Sequence, residues 1–123
     1  LEHLPTQDPR MLALLGAALL RGGNVDASVR TLDAAADAEP ESVAVERQLL
    51  MAKLAAGKFD DVLAAAPILR EKGDATAAPD LLLVGAHLGR RDALAARKAA
   101  QALVARVGKD AFAYNLLAFV EEA

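Results

Sequence analysis

The stretch "LALLGAALLRGGNVDASVRTLDAAADAEP", residues 12–40, decides the fold of this chain. Its apolar residues recur every three or four positions on both sides of Gly22-Gly23-Asn24, which is the spacing of two amphipathic helices. Glycine readily takes the left-handed conformation that ends a helix, and Asn or Asp suits the beginning of the next one. The stretch therefore predicts two helices of roughly 13 residues each, joined by a tight turn.

The same pattern returns along the rest of the chain with a period of 34 residues. This shift aligns Leu15 with Leu49, Leu83 and Leu117, and it also gives apolar columns such as Leu20, Leu54 and Leu88. Pro67 falls inside the fourth predicted helix, where we expect a kink or break because proline removes a backbone donor and clashes with the preceding turn. The predicted helices are residues 9–21, 25–38, 42–56, 59–72, 78–90, 93–107 and 111–122.

The composition favours an all-α protein. The chain has 30 Ala and 21 Leu among its 123 residues, but only three Phe, one Tyr and no Trp. Alanine and leucine are strong helix formers, whereas the aromatic residues that favour strands are scarce. An apolar fraction of 54% with a net charge of −3 predicts a folded chain and gives no indication of nucleic-acid binding. No run approaches the roughly 18 apolar residues of a membrane span, so no insertion of this segment is expected.

Three short motifs, "GNVD", "GKFD" and "GRRD", each place an Asp three residues after a Gly. Such loops can cradle phosphate, but they can also end one helix and begin the next. Gly23 and Gly57 are 34 residues apart and therefore occupy equivalent turns. The period places the third turn at Arg91-Asp92, with Asp92 as helix cap. Gly89 then lies on the preceding helix, beside Gly85, where the missing side chains leave room for a partner or a neighbouring helix.

A helix-turn-helix unit of this length resembles the tetratricopeptide repeat, whose pattern is W-x2-L-G-x2-Y, then A-x3-F, then Pro. The first unit reads Leu12-x2-Leu15-Gly16-x2-Leu19, then Ser28-x3-Leu32, then Pro40, and the later units keep the apolar frame. The resemblance implies a tetratricopeptide-like α-solenoid, a right-handed superhelix of three helix hairpins plus one extra helix. Its parts would be an extension at 1–8, repeats at 9–42, 43–76 and 77–110, and the first helix of a fourth repeat or a cap at 111–123.

The segments "LLGAALLRGG", "LLLVGAHL" and "AYNLLAF" also look like repeats of the tetratricopeptide lipoproteins of bacterial PEP-CTERM/exosortase exopolysaccharide systems. That narrower resemblance implies a periplasmic or cell-envelope location; without it, a cytoplasmic location is expected. The missing initial Met and the absence of a stop signal after "FVEEA" suggest a piece of a longer chain.

In the repeat family, the first helices of successive units line a concave surface that binds a peptide or a helix. The resemblance implies a shallow apolar groove edged by arginines in this chain. Some family members clamp a terminal carboxylate, but here the corresponding positions hold Ala13, Ala17, Gln48, Ala78 and Leu82, so that mode is not expected. The groove residues that the resemblance implies are Arg10, Ala13, Ala17, Leu20, Arg21, Arg47, Met51, Leu54, Leu81, Gly85, Leu88, Asn115 and Phe119.

No set of residues in the sequence predicts catalysis, a cofactor or a metal site. His3 and His87 are too few for a metal centre, and we expect His87 to be half-buried in the core. Asp33 and Asp37 are one helical turn apart, which is typical of a solvated surface rather than an acid/base pair. The cations Arg90, Arg91, Arg97, Lys98, Arg106 and Lys109 lack interleaved aromatic residues and are expected to form solvated surface.

The sequence therefore predicts a non-catalytic protein-protein interaction scaffold whose partner is a protein or peptide. Two alternatives stay open at this stage. One is a regulatory or sensor domain of a signalling or transcription protein, and the other is a nucleic-acid-binding helical array, for which affinity would fall steeply with salt. Phe112 and Phe119 lie seven residues apart on the last predicted helix, which makes a homodimer through that helix possible.

Overall fold

The computed structural model describes residues 8–107, which form six α-helices and no β-strand. The all-α prediction is therefore confirmed, and every predicted helix boundary in this range lies within one residue of the observed one. The seventh predicted helix, residues 111–122, lies outside the described residues. The helices are α1 (Pro9–Arg21), α2 (Val25–Ala38), α3 (Val43–Ala55), α4 (Phe59–Glu71), α5 (Ala78–Gly89) and α6 (Ala93–Val107).

The chain divides into two compact units, Leu1–Lys58 with α1 to α3 and Phe59–Ala123 with α4 to α6. Helices that follow one another within a unit pack together, as α1 does with α2 and α5 with α6. Within the described range, none of the helices is both long enough and apolar enough to cross a membrane.

Side-chain caps begin three of the helices. The Asp8 carboxylate accepts a hydrogen bond from the Arg10 backbone N–H at 2.9 Å, and Pro9 follows directly at the start of α1. The Ser42 side chain caps α3 in the same way, at 3.2 Å from the Val45 nitrogen. Asp92 accepts from the backbone N–H three residues later at 3.1 Å, which confirms it as a helix cap. Each cap satisfies one of the amide donors that the first turn of a helix leaves free.

The turns after α1, α3 and α5 repeat one another at the 34-residue period. In each, the N–H three residues past the last residue of the helix bonds to a carbonyl five residues earlier, which is a Schellman motif. The middle residue of each turn has positive φ: 86° at Gly23, 80° at Gly57 and 61° at Arg91. The prediction that "GRRD" is not a third copy is thus confirmed, because Gly89 ends α5. The three bonds, each 2.9 Å long, are Asn24 N–H to Leu19 O, Lys58 N–H to Lys53 O, and Asp92 N–H to His87 O.

Arg91 is the one residue other than glycine with positive φ among residues 8–107. A side chain in the left-handed region costs roughly 1–2 kcal/mol, whereas glycine has no Cβ and avoids this strain. We therefore expect Arg91→Gly to raise the free energy of unfolding by about 1 kcal/mol, measured by urea denaturation. The reciprocal change Gly23→Ala, at the equivalent turn, should lower it by a similar amount. An unchanged midpoint for both variants would contradict this account.

Unit 1 is held together by a close approach of α1 and α2. Gly16 is buried, and a Cβ added to it would lie 2.5 Å from Leu32 Cγ, so only glycine leaves room for that leucine. The buried Ser28 hydroxyl donates to the Gly16 carbonyl at 2.7 Å. Leu32 also belongs to the core that α2 forms with Leu49 and Ala52 of α3.

In unit 2, α5 and α6 pack through small side chains: Val84, Ala96 and Ala100 form a buried cluster. Pro67 lies within α4, which continues unbroken to Glu71, so the expected break at this proline is wrong. Pro67 is exposed, and its missing N–H removes one of the hydrogen bonds of the helix while the others remain. Val62, Ala66 and Leu69 on the same helix are buried.

Candidate functional site

A concavity between α1 and α3 of unit 1 brings together five of the predicted groove residues. Its volume is about 320 Å³. The lining also includes Leu32, which was not predicted for this surface, and Gln48, which was named only as a position where some family members bind a carboxylate. The predicted residues that line the concavity are Ala17, Leu20, Arg21, Arg47 and Met51.

A second concavity of about 370 Å³ adjoins the first, because Gln48 lines both. Arg10 and Ala13, two further predicted groove residues, line it together with Leu14. Seven predicted residues therefore lie along one surface of α1 and α3. The 34-residue period explains this arrangement, because it relates α1 to α3, and equivalent positions on the two helices face the same way.

The first concavity is apolar with a positive charge. Ala17, Leu20, Leu32 and Met51 supply the apolar lining, and the Met51 side chain is 49% exposed. Arg21 and Arg47 are the ionisable residues of the lining. Arg21 is exposed and makes no hydrogen bond or ion pair among residues 8–107. A ligand carboxylate could therefore bind here without displacing a partner of Arg21.

Gln48 carries an unusual feature at the point where the two concavities meet. Its Oε1 atom is buried and has no hydrogen-bond partner among residues 8–107. A buried acceptor without a donor costs about 1–3 kcal/mol, so this oxygen favours a ligand that brings an N–H group. The 34-residue shift aligns Gln48 with Leu14 and Leu82. A polar residue in an otherwise apolar column was the sequence signal for this site, and the groove prediction did not use it.

The predicted groove residues of unit 2 lie on α5 and are partly engaged in packing. Leu88 packs against the cluster of Val84, Ala96 and Ala100, so its side chain contributes to the core rather than to an open surface. Leu81 and Gly85 are half-buried, as is Leu54 on α3 of unit 1. The predicted residues Asn115 and Phe119 lie outside the described residues.

The sequence left two possibilities for the space beside Gly89: it could admit a partner, or a neighbouring helix could fill it. The Phe59 ring of α4 lies directly against Gly89, in the space that a Cβ would occupy. A neighbouring helix therefore fills this gap, and Gly89 is not available as a groove residue.

Two of the cations predicted to form solvated surface, Arg90 and Arg106, are exposed and also make ion pairs. Arg90 pairs with the exposed Asp60 carboxylate. Arg106 donates to Asp80 from Nε at 3.0 Å and from Nη2 at 2.6 Å, and Arg70 donates to the same carboxylate at 2.8 Å. Both Arg70 and Arg106 also donate to the Thr76 carbonyl, so this cluster links α4, α5, α6 and the loop before α5.

The part of the chain that the structure describes holds no group of three or more His, Cys, Asp or Glu residues that could bind a metal ion. His87 is half-buried, while Asp33 and Asp37 are exposed on α2. The lining of the first concavity supplies apolar, cationic and amide groups. No protein-family model, no curated protein and no solved structure matches this chain.

Proposed function

We propose that the chain is a tetratricopeptide-type interaction module that binds a peptide or helix at the concave surface of α1 and α3. The observation that carries this proposal is the first concavity, where an apolar lining is combined with Arg21, Arg47 and the unpartnered oxygen of Gln48. Proteins recognise peptides in this way, with apolar contacts for affinity and a few polar groups for orientation. The module is proposed to be non-catalytic and to need no cofactor.

The repeat assignment within this proposal is supported by the matched turns and by the Gly16–Leu32 contact. The tetratricopeptide pattern has small residues where the two helices of one repeat approach most closely, and in this chain these positions hold Gly16 and Ser28. Both residues are buried, and they are joined by the 2.7 Å hydrogen bond. Small side chains are therefore needed at these two positions, because α1 and α2 lie too close together there for larger ones.

The lining predicts the chemistry of the ligand. A medium-sized apolar side chain would contact Ala17, Leu20 and Met51, and an adjacent carboxylate would pair with Arg21. A backbone N–H of the ligand would donate to Gln48 Oε1 after a small rotation of that side chain. We therefore propose a partner segment in which acidic and apolar residues alternate or lie one helical turn apart. A role in exopolysaccharide assembly and the regulatory-domain alternative both stay predictions.

Selection from a display library of random peptides of about 12 residues tests this proposal. We expect the enriched sequences to combine acidic and apolar residues. Their affinity, measured by fluorescence anisotropy, should fall at least about tenfold in Met51→Glu and Ala17→Glu, because both add a carboxylate beside the arginines. Gln48→Leu should also weaken binding but leave the thermal midpoint unchanged or higher, since it removes an unpartnered buried acceptor.

Ile68→Glu is the matched control, because Ile68 is half exposed on α4 and lines neither concavity. It should leave the affinity of the selected peptides unchanged. Circular dichroism of each variant separates lost binding from lost structure. If the selected peptides bind Met51→Glu and Ala17→Glu as tightly as the parent chain, the concave surface is not the site.

A further inference from the structure

The first helix of unit 1 exposes an apolar face that differs from the surface described above. Met11, Leu14 and Leu15 have 44%, 66% and 44% of their surface exposed, and Ala18 is exposed as well. Spacings of three, four and seven residues place these four side chains on one face of α1. Leu14 lines the second concavity, whereas Met11, Leu15 and Ala18 line neither of the two concavities described above. The α1 stripe, as we call these four residues, therefore adjoins the concave surface at Leu14 but differs from it in its other three residues.

The residues 34 positions later in the chain, on α3, show what covers the equivalent face of that helix. Met11, Leu15 and Ala18 align with Val45, Leu49 and Ala52, which are only 7%, 4% and 0% exposed. Leu49 and Ala52 are buried because α2, the helix before α3, packs on them through Val29 and Leu32.

A further period on, α5 shows the same arrangement. The aligned residues Pro79 and Ala86 are buried, Leu83 is half-buried, and α4, the helix before α5, packs on α5. The face is thus covered wherever the structure describes a preceding helix. The α1 stripe has the shape and polarity of a surface that receives such a helix.

Charge indicates which kind of helix the α1 stripe would receive. Helix α1 has two arginines and no acidic residue, and both Arg10 and Arg21 are exposed, although Arg10 lies 3.6 Å from the Asp8 carboxylate. The helices that pack on α3 and α5 each carry three carboxylates and one arginine, a net charge of −2: Asp26, Asp33, Asp37 and Arg30 on α2, and Asp60, Asp61, Glu71 and Arg70 on α4. Because α5 carries Asp80 and no lysine or arginine, the preference of the stripe for an acidic helix comes from the two arginines of α1 itself.

We infer that the α1 stripe docks an acidic amphipathic helix of a partner protein, in the way that α2 docks on α3. The partner helix presents small apolar residues, chiefly alanine, valine and leucine, to Met11, Leu15 and Ala18. Its carboxylates lie near Arg10 and Arg21, at the two ends of the stripe. This docking goes beyond the proposed peptide binding, because it uses a different face of α1.

A synthetic peptide with the sequence of residues 24–39, which contains α2, is the probe for this inference. We expect saturable binding of the labelled peptide to the full chain, measured by fluorescence anisotropy. The double variant Met11→Glu/Leu15→Glu should weaken binding at least about tenfold, because it adds two carboxylates to the docking face. Raising the ionic strength from about 0.05 M to about 0.5 M should weaken binding several-fold, since exposed charges are then screened.

The peptide of residues 92–107 is the matched control probe, because it is also rich in alanine but contains the basic residues Arg97, Lys98 and Arg106. It should not bind measurably. Leu94→Glu, at an exposed leucine of α6, should leave binding of the acidic peptide unchanged. The concave-surface variants Met51→Glu and Ala17→Glu should also leave it unchanged, which separates this inference from the proposed function.

Three outcomes would overturn the inference. The first is the absence of binding by the acidic peptide, and the second is binding that survives in Met11→Glu/Leu15→Glu. The latter result would mean that the peptide replaces α2 in its own site rather than docking on the stripe. The third is a dimer, detected by light scattering, that Met11→Glu/Leu15→Glu abolishes, because a second copy of this chain would then cover the face.

Discussion

Leu32→Ala should lower the free energy of unfolding by about 2–5 kcal/mol, which is the range for removing a fully buried leucine. Leu32 is 0% exposed and contacts both α1 and α3, so its loss leaves a cavity at the centre of unit 1. Urea denaturation followed by circular dichroism measures the loss. A change below about 1 kcal/mol would show that the unit collapses around the missing side chain or that Leu32 does not hold it together.

Gly16→Ala tests the contact that Leu32 makes with α1. Added alone, the methyl group would overlap Leu32 and cost about 1–3 kcal/mol, which exceeds the gain of up to about 1 kcal/mol in helix propensity. In the Leu32→Ala background the same methyl group has room, so Gly16→Ala should then be neutral or stabilising. The double-mutant cycle should therefore give a coupling free energy of about 1 kcal/mol or more.

Gly22→Ala is the control for this cycle, because Gly22 has a negative φ of −80° and an added Cβ would lie 3.4 Å from its nearest neighbour, the Ala18 carbonyl oxygen. It should be neutral or slightly stabilising in both backgrounds. Equal effects of Gly16→Ala with and without Leu32 would show that the two residues do not compete for space.

Asp80→Ala is expected to have the second largest effect, a loss of about 2–3 kcal/mol of unfolding free energy. The Asp80 side chain is 13% exposed and accepts hydrogen bonds from both Arg70 and Arg106. Removing the carboxylate leaves two guanidinium groups close together without their shared partner. The loss is at the lower end for buried ion pairs because the arginine side chains are 31% and 34% exposed and can regain water.

Asp60→Ala is the matched control, since Asp60 also pairs with an arginine but its side chain is 83% exposed. Exposed pairs contribute about 0–1 kcal/mol, so its effect should be several times smaller than that of Asp80→Ala. Asp80→Asn, which keeps the shape and one acceptor, should fall between the two. Similar losses for Asp60→Ala and Asp80→Ala would mean that the Asp80 cluster is as weak as a surface pair.

The helices and turns could be predicted from the sequence because their causes are local. The spacing of apolar residues sets the helical stretches, and residues such as Gly23, Gly57 and Asp92 end or begin them through their own backbone or side-chain chemistry. Even the left-handed turn at Arg91, which lacks the expected glycine, follows from the 34-residue period. The unit-1 positions of the groove could be predicted for the same reason, since equivalent positions on α1 and α3 face the same way.

The errors arose where the outcome depends on residues distant in sequence. Arg106 and Asp80 are 26 residues apart, and no local pattern shows that their side chains meet. The sequence around Gly89 shows only that this residue has no side chain. It does not show that the Phe59 ring, 30 residues earlier on α4, occupies the space where a Cβ would lie. Of the kink or break expected at Pro67, the break is wrong, because α4 continues to Glu71 with one backbone donor missing.

The way in which helices pack within each unit has a consequence for folding kinetics. Every helix pair in contact is adjacent or next-adjacent along the chain, as in α1 with α2, α2 with α3, and α5 with α6. Each contact therefore closes a short loop, which costs little chain entropy before the contact forms. Chains with such low contact order fold in about microseconds to milliseconds. A nascent unit of this kind can form its native contacts almost as soon as two consecutive helices are available.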